Sequence, residues 1–90
     1  MTRKIAVIVR DRQGEALRMA LGLTLMDDTI HVYLVDKRFD LSEADSTNIE
    51  MMKELDVEFF TNNQGNEDAE HVSTEKMARK LTDYDHVIPY

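Results

Sequence analysis

Two short runs rich in branched apolar side chains stand out, IAVIV at residues 5–9 and IHVYLV at residues 30–35. Neither run alternates strictly between polar and apolar positions, as a strand with one wet face does. Both therefore read as strands covered on both faces, which is typical of a parallel sheet. The segment between them is long enough for the helix that a parallel crossover needs.

Two further strands follow, at residues 57–60 (VEFF) and 86–88 (HVI), and Pro89 ends the second. Strands and helices alternate as β-α-β-α-β-α-β, which predicts an α/β fold with a four-stranded parallel sheet and helices on both faces. We expect the order 2-1-3-4. The residues expected to be largely buried are Val7, Val9, Val32, Leu34, Phe59 and Val87.

Three helices are expected between these strands. The first spans residues 15–26, and the third begins after Ser73, whose hydroxyl can cap a free amide. For the second helix, Thr47 and Glu50 have the spacing of a capping box, which predicts a start near Thr47. Residues 61–71 are almost entirely polar and are expected to form a loop.

Composition narrows the function classes. Ninety residues indicate a single domain, residues 1–90, and the absence of cysteine excludes disulfides, thiolate metal sites and thiol nucleophiles. The net charge is −7, and residues 46–90 hold ten acidic against four basic side chains, which argues against nucleic-acid binding. The apolar runs are too short for a membrane span or a signal peptide, so a cytoplasmic location is expected.

The predicted first helix has two apolar stripes instead of the single stripe of an ordinary surface helix. A neighbouring helix of the same chain would cover the second stripe in one interpretation. In the other, a second subunit covers it, and the chain forms a homo-oligomer. The candidate interface residues are Met19, Gly22, Leu23 and Met26.

The exits of the first and third strands are the candidate ligand site, because open parallel sheets bind ligands beyond the carboxyl ends of strands that flank a switch in order. Arginines, amides and the start of a helix suit a phosphate or carboxylate. The alternative is that both arginines are solvated and paired with Asp11 or Glu15. The candidate residues are Arg10, Arg12, Gln13, Gly14, Asn62 and Asn63.

Other signals predict no chemistry. The three histidines lack short metal-ligand spacing, and no phosphate-loop or dinucleotide fingerprint is present, so we predict neither a metal nor a cofactor. Ser73 and Lys76 have the Ser-x-x-Lys spacing of some acylating enzymes, but helix capping explains Ser73. The sequence therefore favours a protein without catalytic residues.

Three segments carry a family resemblance. Residues 15–25 (EALRMALGLTL) follow the first strand, residues 52–60 (MKELDVEFF) lead into the third, and residues 84–90 (YDHVIPY) contain the last. Together they resemble the DsrE/DsrF-like (YchN-like) family of sulfur-relay proteins.

The resemblance implies a cytoplasmic α/β protein that assembles into trimers, hexamers or hetero-oligomers. Active members of the family carry a persulfide on a cysteine after the third strand, where this chain has Thr61, Asn62 and Asn63. No functional residue carries over, so the expected function is a non-catalytic subunit that assembles and docks sulfur-relay partners. The alternative is a domain that binds a small anionic ligand at the strand exits.

Overall fold

The computed structural model describes residues 3–26, 29–66 and 69–89. Within these ranges the chain forms five strands and three helices. The strands are β1 (Lys4–Val9), β2 (Thr29–Leu34), β3 (Glu58–Thr61), β4 (Glu70–His71) and β5 (His86–Pro89). The helices are α1 (Gln13–Thr24), α2 (Glu43–Glu54) and α3 (Thr74–Leu81).

The five strands make one sheet in the order β4-β3-β2-β1-β5, and all four pairings are parallel. The α/β class and the parallel sheet are thus confirmed. The expected order was wrong, since β2 and not β1 lies beside β3. The strand count was also wrong, because β4 adds a short edge strand within the predicted loop. Residues 67 and 68 of that loop lie outside the described residues.

The helices cover both faces of the sheet, as predicted. We call the face that packs against α1 and α2 the α1/α2 face, and the opposite one the α3 face. The α1/α2 face holds the larger cluster, which includes Val7, Leu17, Val32, Ile49 and Met52. The α3 face holds a smaller cluster of Ala6, Ile8, Tyr33, Val35, Phe60, Val72 and Met77.

Helix α2 begins four residues before the predicted position. Ser42 is its cap: the Ser42 hydroxyl accepts from the Asp45 amide at 3.1 Å, and the Asp45 carboxylate accepts from the Ser42 amide at 3.3 Å. The predicted cap Thr47 lies inside the helix and donates to the Glu43 carbonyl. The Ser/Thr-x-x-acid spacing occurs at both places, and the sequence alone does not rank them. The Ser73 cap of α3 is confirmed.

Five of the six predicted core residues are buried, but Val87 is 43% exposed. Val87 pairs in register with Ala6, so its side chain lies on the α3 face of the edge strand β5. Of the described helices, α3 alone covers this face, and its eight residues leave the β5 margin uncovered. Val87 was expected to be buried because its strand is apolar, but it is exposed because β5 is an edge strand.

Candidate functional site

A pocket of about 380 Å³ lies between α3 and the sheet. Its floor is apolar because alternate residues of β1 and β5 point to this face, while successive turns of α3 supply the wall. The apolar lining consists of Ile8, Val35, Met77, Ala78, Leu81, Val87 and Pro89. Helix α3 is too short to cover the whole face, which explains both the pocket and the exposure of Val87.

The rim of the pocket is polar and lies at the carboxyl ends of the strands. It is formed by Arg10 after β1, Asp36 after β2, Asn62 after β3, and Thr74 in the first turn of α3. The sheet order reverses between β1 and β5, which both border the pocket. Carboxyl ends next to such a switch are where open α/β sheets bind ligands.

The rim residues contact one another. The Asn62 side-chain amide donates to the Thr74 hydroxyl at 3.1 Å and to Oδ1 of Asp36 at 3.4 Å. The Asn62 carbonyl oxygen accepts from the Asp36 backbone amide at 2.8 Å. On the other side, Nε of Arg10 lies 3.7 Å from Oδ2 of Asp36. Asp36 is therefore held by Asn62 and flanked by a guanidinium.

The backbone of Asp36 has a φ of 71°, a left-handed conformation that most side chains avoid. Aspartate and asparagine adopt it more readily than other residues, because their short polar side chains can bond locally. The hydrogen bond from the Asp36 amide to Asn62 helps to hold this conformation. The chain thus turns sharply after β2 and leaves the carboxylate at the rim.

Of the six predicted ligand residues, the structure brings Arg10 and Asn62 together at this rim. Arg12 faces Glu15 at 3.9 Å, which is the pairing that the alternative interpretation predicted. Arg10 instead pairs with Asp36, and neither Asp11 nor Glu15 is its partner among the described ion pairs.

The other three predicted ligand residues do not line the pocket. The Gln13 side-chain amide donates to the Asp40 carbonyl at 2.6 Å. A Cβ on Gly14 would lie 3.6 Å from Oδ1 of Asp45, which places Gly14 beside α2 on the opposite face. Asn63 accepts from the Gly65 amide at 2.8 Å in a local turn.

Asp36 and Thr74 were missed as site residues. Asp36 directly follows the second apolar run, and that position is the available sequence signal. This position indicates a site residue only when β2 lies between β1 and β3, because Asp36 then lies between Arg10 and Asn62. Thr74 reads as an ordinary first-turn residue after the Ser73 cap.

A second polar cluster lies under α3 at the opposite ends of the strands. Nδ1 of His31 is 2.6 Å from the Tyr84 hydroxyl, which is 2.7 Å from the Tyr33 hydroxyl. Nε2 of His31 lies 3.4 Å from a Glu58 oxygen. Burial lowers the pKa of His31 and raises the pKa of both tyrosines. If the neutral ring carries its proton on Nε2, facing Glu58, then Nδ1 accepts from the Tyr84 hydroxyl.

The four candidate interface residues of the predicted first helix differ in exposure, and the last of them, Met26, lies beyond the end of α1 at Thr24. Met19 and Leu23 are half-buried and pack against the core of their own chain, as the single-chain interpretation requires. Gly22 and Met26 are exposed, and a Cβ on Gly22 would meet nothing within 4 Å. Exposed apolar surface therefore remains at the end of this helix.

No group of three or more histidine and acidic side chains in the described ranges is arranged to hold a metal ion. Across the same ranges, no helix is long and apolar enough to cross a membrane. Comparison with family models, curated proteins and solved structures returns no match for this chain.

Proposed function

We propose that the chain is a non-enzymatic binding domain for a small molecule with an anionic group on an apolar body. One observation carries the proposal: a pocket of about 380 Å³ with an apolar floor opens onto a polar rim at the strand exits. Mostly apolar concavities of this size with a few convergent polar groups are typical ligand sites.

The two parts of the pocket divide the work of binding. An apolar body that buries about 120 Å² of surface gains roughly 3 kcal/mol, at about 25 cal/mol per Å². Arg10 can approach an anionic group with its exposed guanidinium, and the Asn62 amide and the Thr74 hydroxyl lie on the same rim. The apolar body would supply most of the affinity, and the rim would orient the ligand.

Among the described pocket residues, the Asp36 carboxylate is the one group that can act as a general base, and Asn62 and Arg10 already engage it. No histidine lines the described pocket, and the Thr74 hydroxyl accepts from an amide instead of facing a base. A nucleophile requires an adjacent proton acceptor to be activated at neutral pH. Binding without turnover is the function that these residues favour.

The simplest probe is 4-methylpentanoate, a carboxylate on a branched apolar chain, followed by amide chemical shifts in NMR spectra. We expect concentration-dependent shifts at pocket residues such as Ile8, Val35 and Leu81. Ala78 lines the pocket and is exposed, so Ala78→Trp places a large ring in the pocket. It should weaken binding at least about tenfold, or 1.4 kcal/mol.

The matched control is Ala44→Trp, at an exposed alanine of α2 on the other face. It should leave the affinity unchanged. If both tryptophan variants bind the probe equally well, this pocket is not the binding site and the proposal is wrong.

A second candidate is the assembly function, in which a DsrE-like subunit self-associates in the cytoplasm and docks sulfur-relay partners. The exposed apolar residues at the end of α1 favour it, with Leu25 82% and Met26 69% exposed. A second copy that covered them would remove this surface from water. Light scattering gives the mass of the particle directly, and a monomer at micromolar concentration contradicts this function.

A further inference from the structure

We infer that the ligand of this pocket is a zwitterion with an apolar side chain, of the chemical class of leucine or phenylalanine. The inference rests on the proposed function and adds the second charge. It comes from the juxtaposition of Arg10 and Asp36 at the mouth of an apolar pocket.

The Arg10–Asp36 pair is easily opened. Nε of Arg10 lies 3.7 Å from Oδ2 of Asp36, and the two side chains are 62% and 64% exposed. Exposed pairs of this kind contribute only about 0–1 kcal/mol, because water already solvates both ions. A ligand can therefore insert between them at small cost and offer each side chain a better partner.

Asp36 disfavours the binding of a ligand that carries only a negative charge. A carboxylate bound to Arg10 within about 4 Å of Asp36 would be repelled by about 1–4 kcal/mol, depending on the local dielectric. An ammonium group on the neighbouring carbon turns that repulsion into attraction. The rim thus matches a ligand whose positive and negative groups are only a few bonds apart.

The neighbours of Asp36 support this arrangement. Asn62 donates to Oδ1 of Asp36, which leaves Oδ2 on the side of Arg10. The Thr74 oxygen accepts from Asn62, and its hydroxyl hydrogen donates to no described residue. Asp36 Oδ2 can accept from an ammonium, while Arg10 and Thr74 donate to a carboxylate.

The floor selects the rest of the ligand. Ile8, Val35, Leu81 and Val87 offer no side-chain hydrogen-bonding group. A nucleobase or sugar buried there would leave polar atoms unpaired, at about 1–3 kcal/mol for each group. An aliphatic or aromatic side chain has no such atoms, and one of these fits a pocket of about 380 Å³.

Four probes separate the contributions. Leucine has both charges and the branched body, 4-methylpentanoate lacks the ammonium, 3-methylbutan-1-amine lacks the carboxylate, and glycine lacks the body. Each is titrated into the protein and followed by NMR shifts at the pocket. We expect leucine to bind at least about tenfold tighter than each of the other three, or 1.4 kcal/mol.

Two variants assign the charges. Asp36→Asn should abolish the preference for leucine over 4-methylpentanoate, and Arg10→Gln should abolish the preference over the amine. Asp40→Asn, which neutralises an exposed carboxylate outside the pocket lining, should change neither preference.

The outcomes separate the inference from the function beneath it. Equal affinity for leucine and 4-methylpentanoate overturns the zwitterion and leaves the apolar pocket as the binding site. Equal affinity for leucine and glycine overturns the apolar pocket. If no probe shifts a pocket resonance, both proposals are overturned.

Discussion

The hydroxyl group of Tyr84 lies 2.7 Å from the hydroxyl group of Tyr33, a residue whose side chain is completely buried. Tyr84 also contacts Nδ1 of His31 at 2.6 Å. One hydroxyl thus satisfies two polar groups that water reaches poorly. The arrangement connects the turn after α3 to the middle of the sheet.

Tyr84→Phe should lower the free energy of unfolding by about 1–3 kcal/mol, because it leaves the Tyr33 hydroxyl and Nδ1 of His31 without their partner. Urea denaturation followed by circular dichroism measures the change. The double variant Tyr33→Phe/Tyr84→Phe should lose less free energy of unfolding than the sum of the two single variants, because the buried Tyr33 hydroxyl is then absent. Strict additivity would show that the contact contributes nothing.

Stability should fall as the pH is lowered from about 7.5 to 5, in part because of His31. Burial lowers the pKa of His31 below its ordinary value of 6.5, and Lys4 and Lys80 act in the same direction while Glu58 opposes them. The unfolded chain therefore binds a proton first. The contribution of His31 is complete above pH 6.5 and is lost as the pH falls through the folded-state pKa.

His31→Gln should reduce the slope of unfolding free energy against pH in that window. His71→Gln is the control, since His71 is exposed on the edge strand β4. Denaturation at several pH values gives both slopes. Equal slopes in wild type and His31→Gln would contradict the assignment.

Asn66→Asp should destabilise the chain by about 2–3 kcal/mol, because it buries a charge and removes two donated hydrogen bonds. The Asn66 side chain donates to the Lys37 carbonyl at 2.8 Å and to the Thr61 hydroxyl at 3.0 Å. It also accepts from the Phe39 amide at 2.8 Å. Thermal unfolding measures the loss.

The control for Asn66 is Gln64→Glu, the same amide-to-acid change at an exposed position two residues earlier. It should shift the midpoint of unfolding by little. A comparable loss in both variants would mean that added negative charge, and not the lost hydrogen bonds, causes the effect.

If the apolar surface at the end of α1 is an interface, Met26→Glu should yield smaller particles that remain folded. Met26 is 69% exposed, so the charge costs little in a monomer and much in an interface that removes it from water. Leu23→Glu tests the same surface less cleanly, since Leu23 also packs on its own core. Light scattering with circular dichroism compares Met26→Glu with the control Glu70→Gln.

Much of the fold could be predicted from local pattern. The runs at residues 5–9 and 30–35 form the adjacent interior strands β1 and β2, and Ser73 caps α3 as the sequence predicts. The strand order could not be predicted, because several neighbours can bury a parallel apolar strand equally well. The edge strand β4 has two exposed polar residues and no periodic signal.

The candidate site could be predicted only in part, because the strand order decides which strand ends lie side by side. Arg10 and Asn62 follow strands, and any parallel sheet places strand exits at one edge. Asp36 joins them because β2 lies between β1 and β3, a tertiary fact that no local pattern reveals. The exposed Val87 shows the converse, since a core-like residue lines a pocket when its strand is at the edge.

The interior position of β1, between β2 and the edge strand β5, also bears on how the sheet assembles. One edge of β1 pairs with β2 and the other edge pairs with β5, which comes last in the chain. The hydrogen bond from the Lys4 amide to the Asp85 carboxylate joins residues 81 positions apart. Closing that loop costs about 1 kcal/mol more in chain entropy than closing the one between β1 and β2. Until β5 docks, one edge of β1 has unpaired backbone groups that could pair with another chain. Late docking of the four-residue strand β5 would therefore limit the folding rate and determine how long the chain is prone to aggregate.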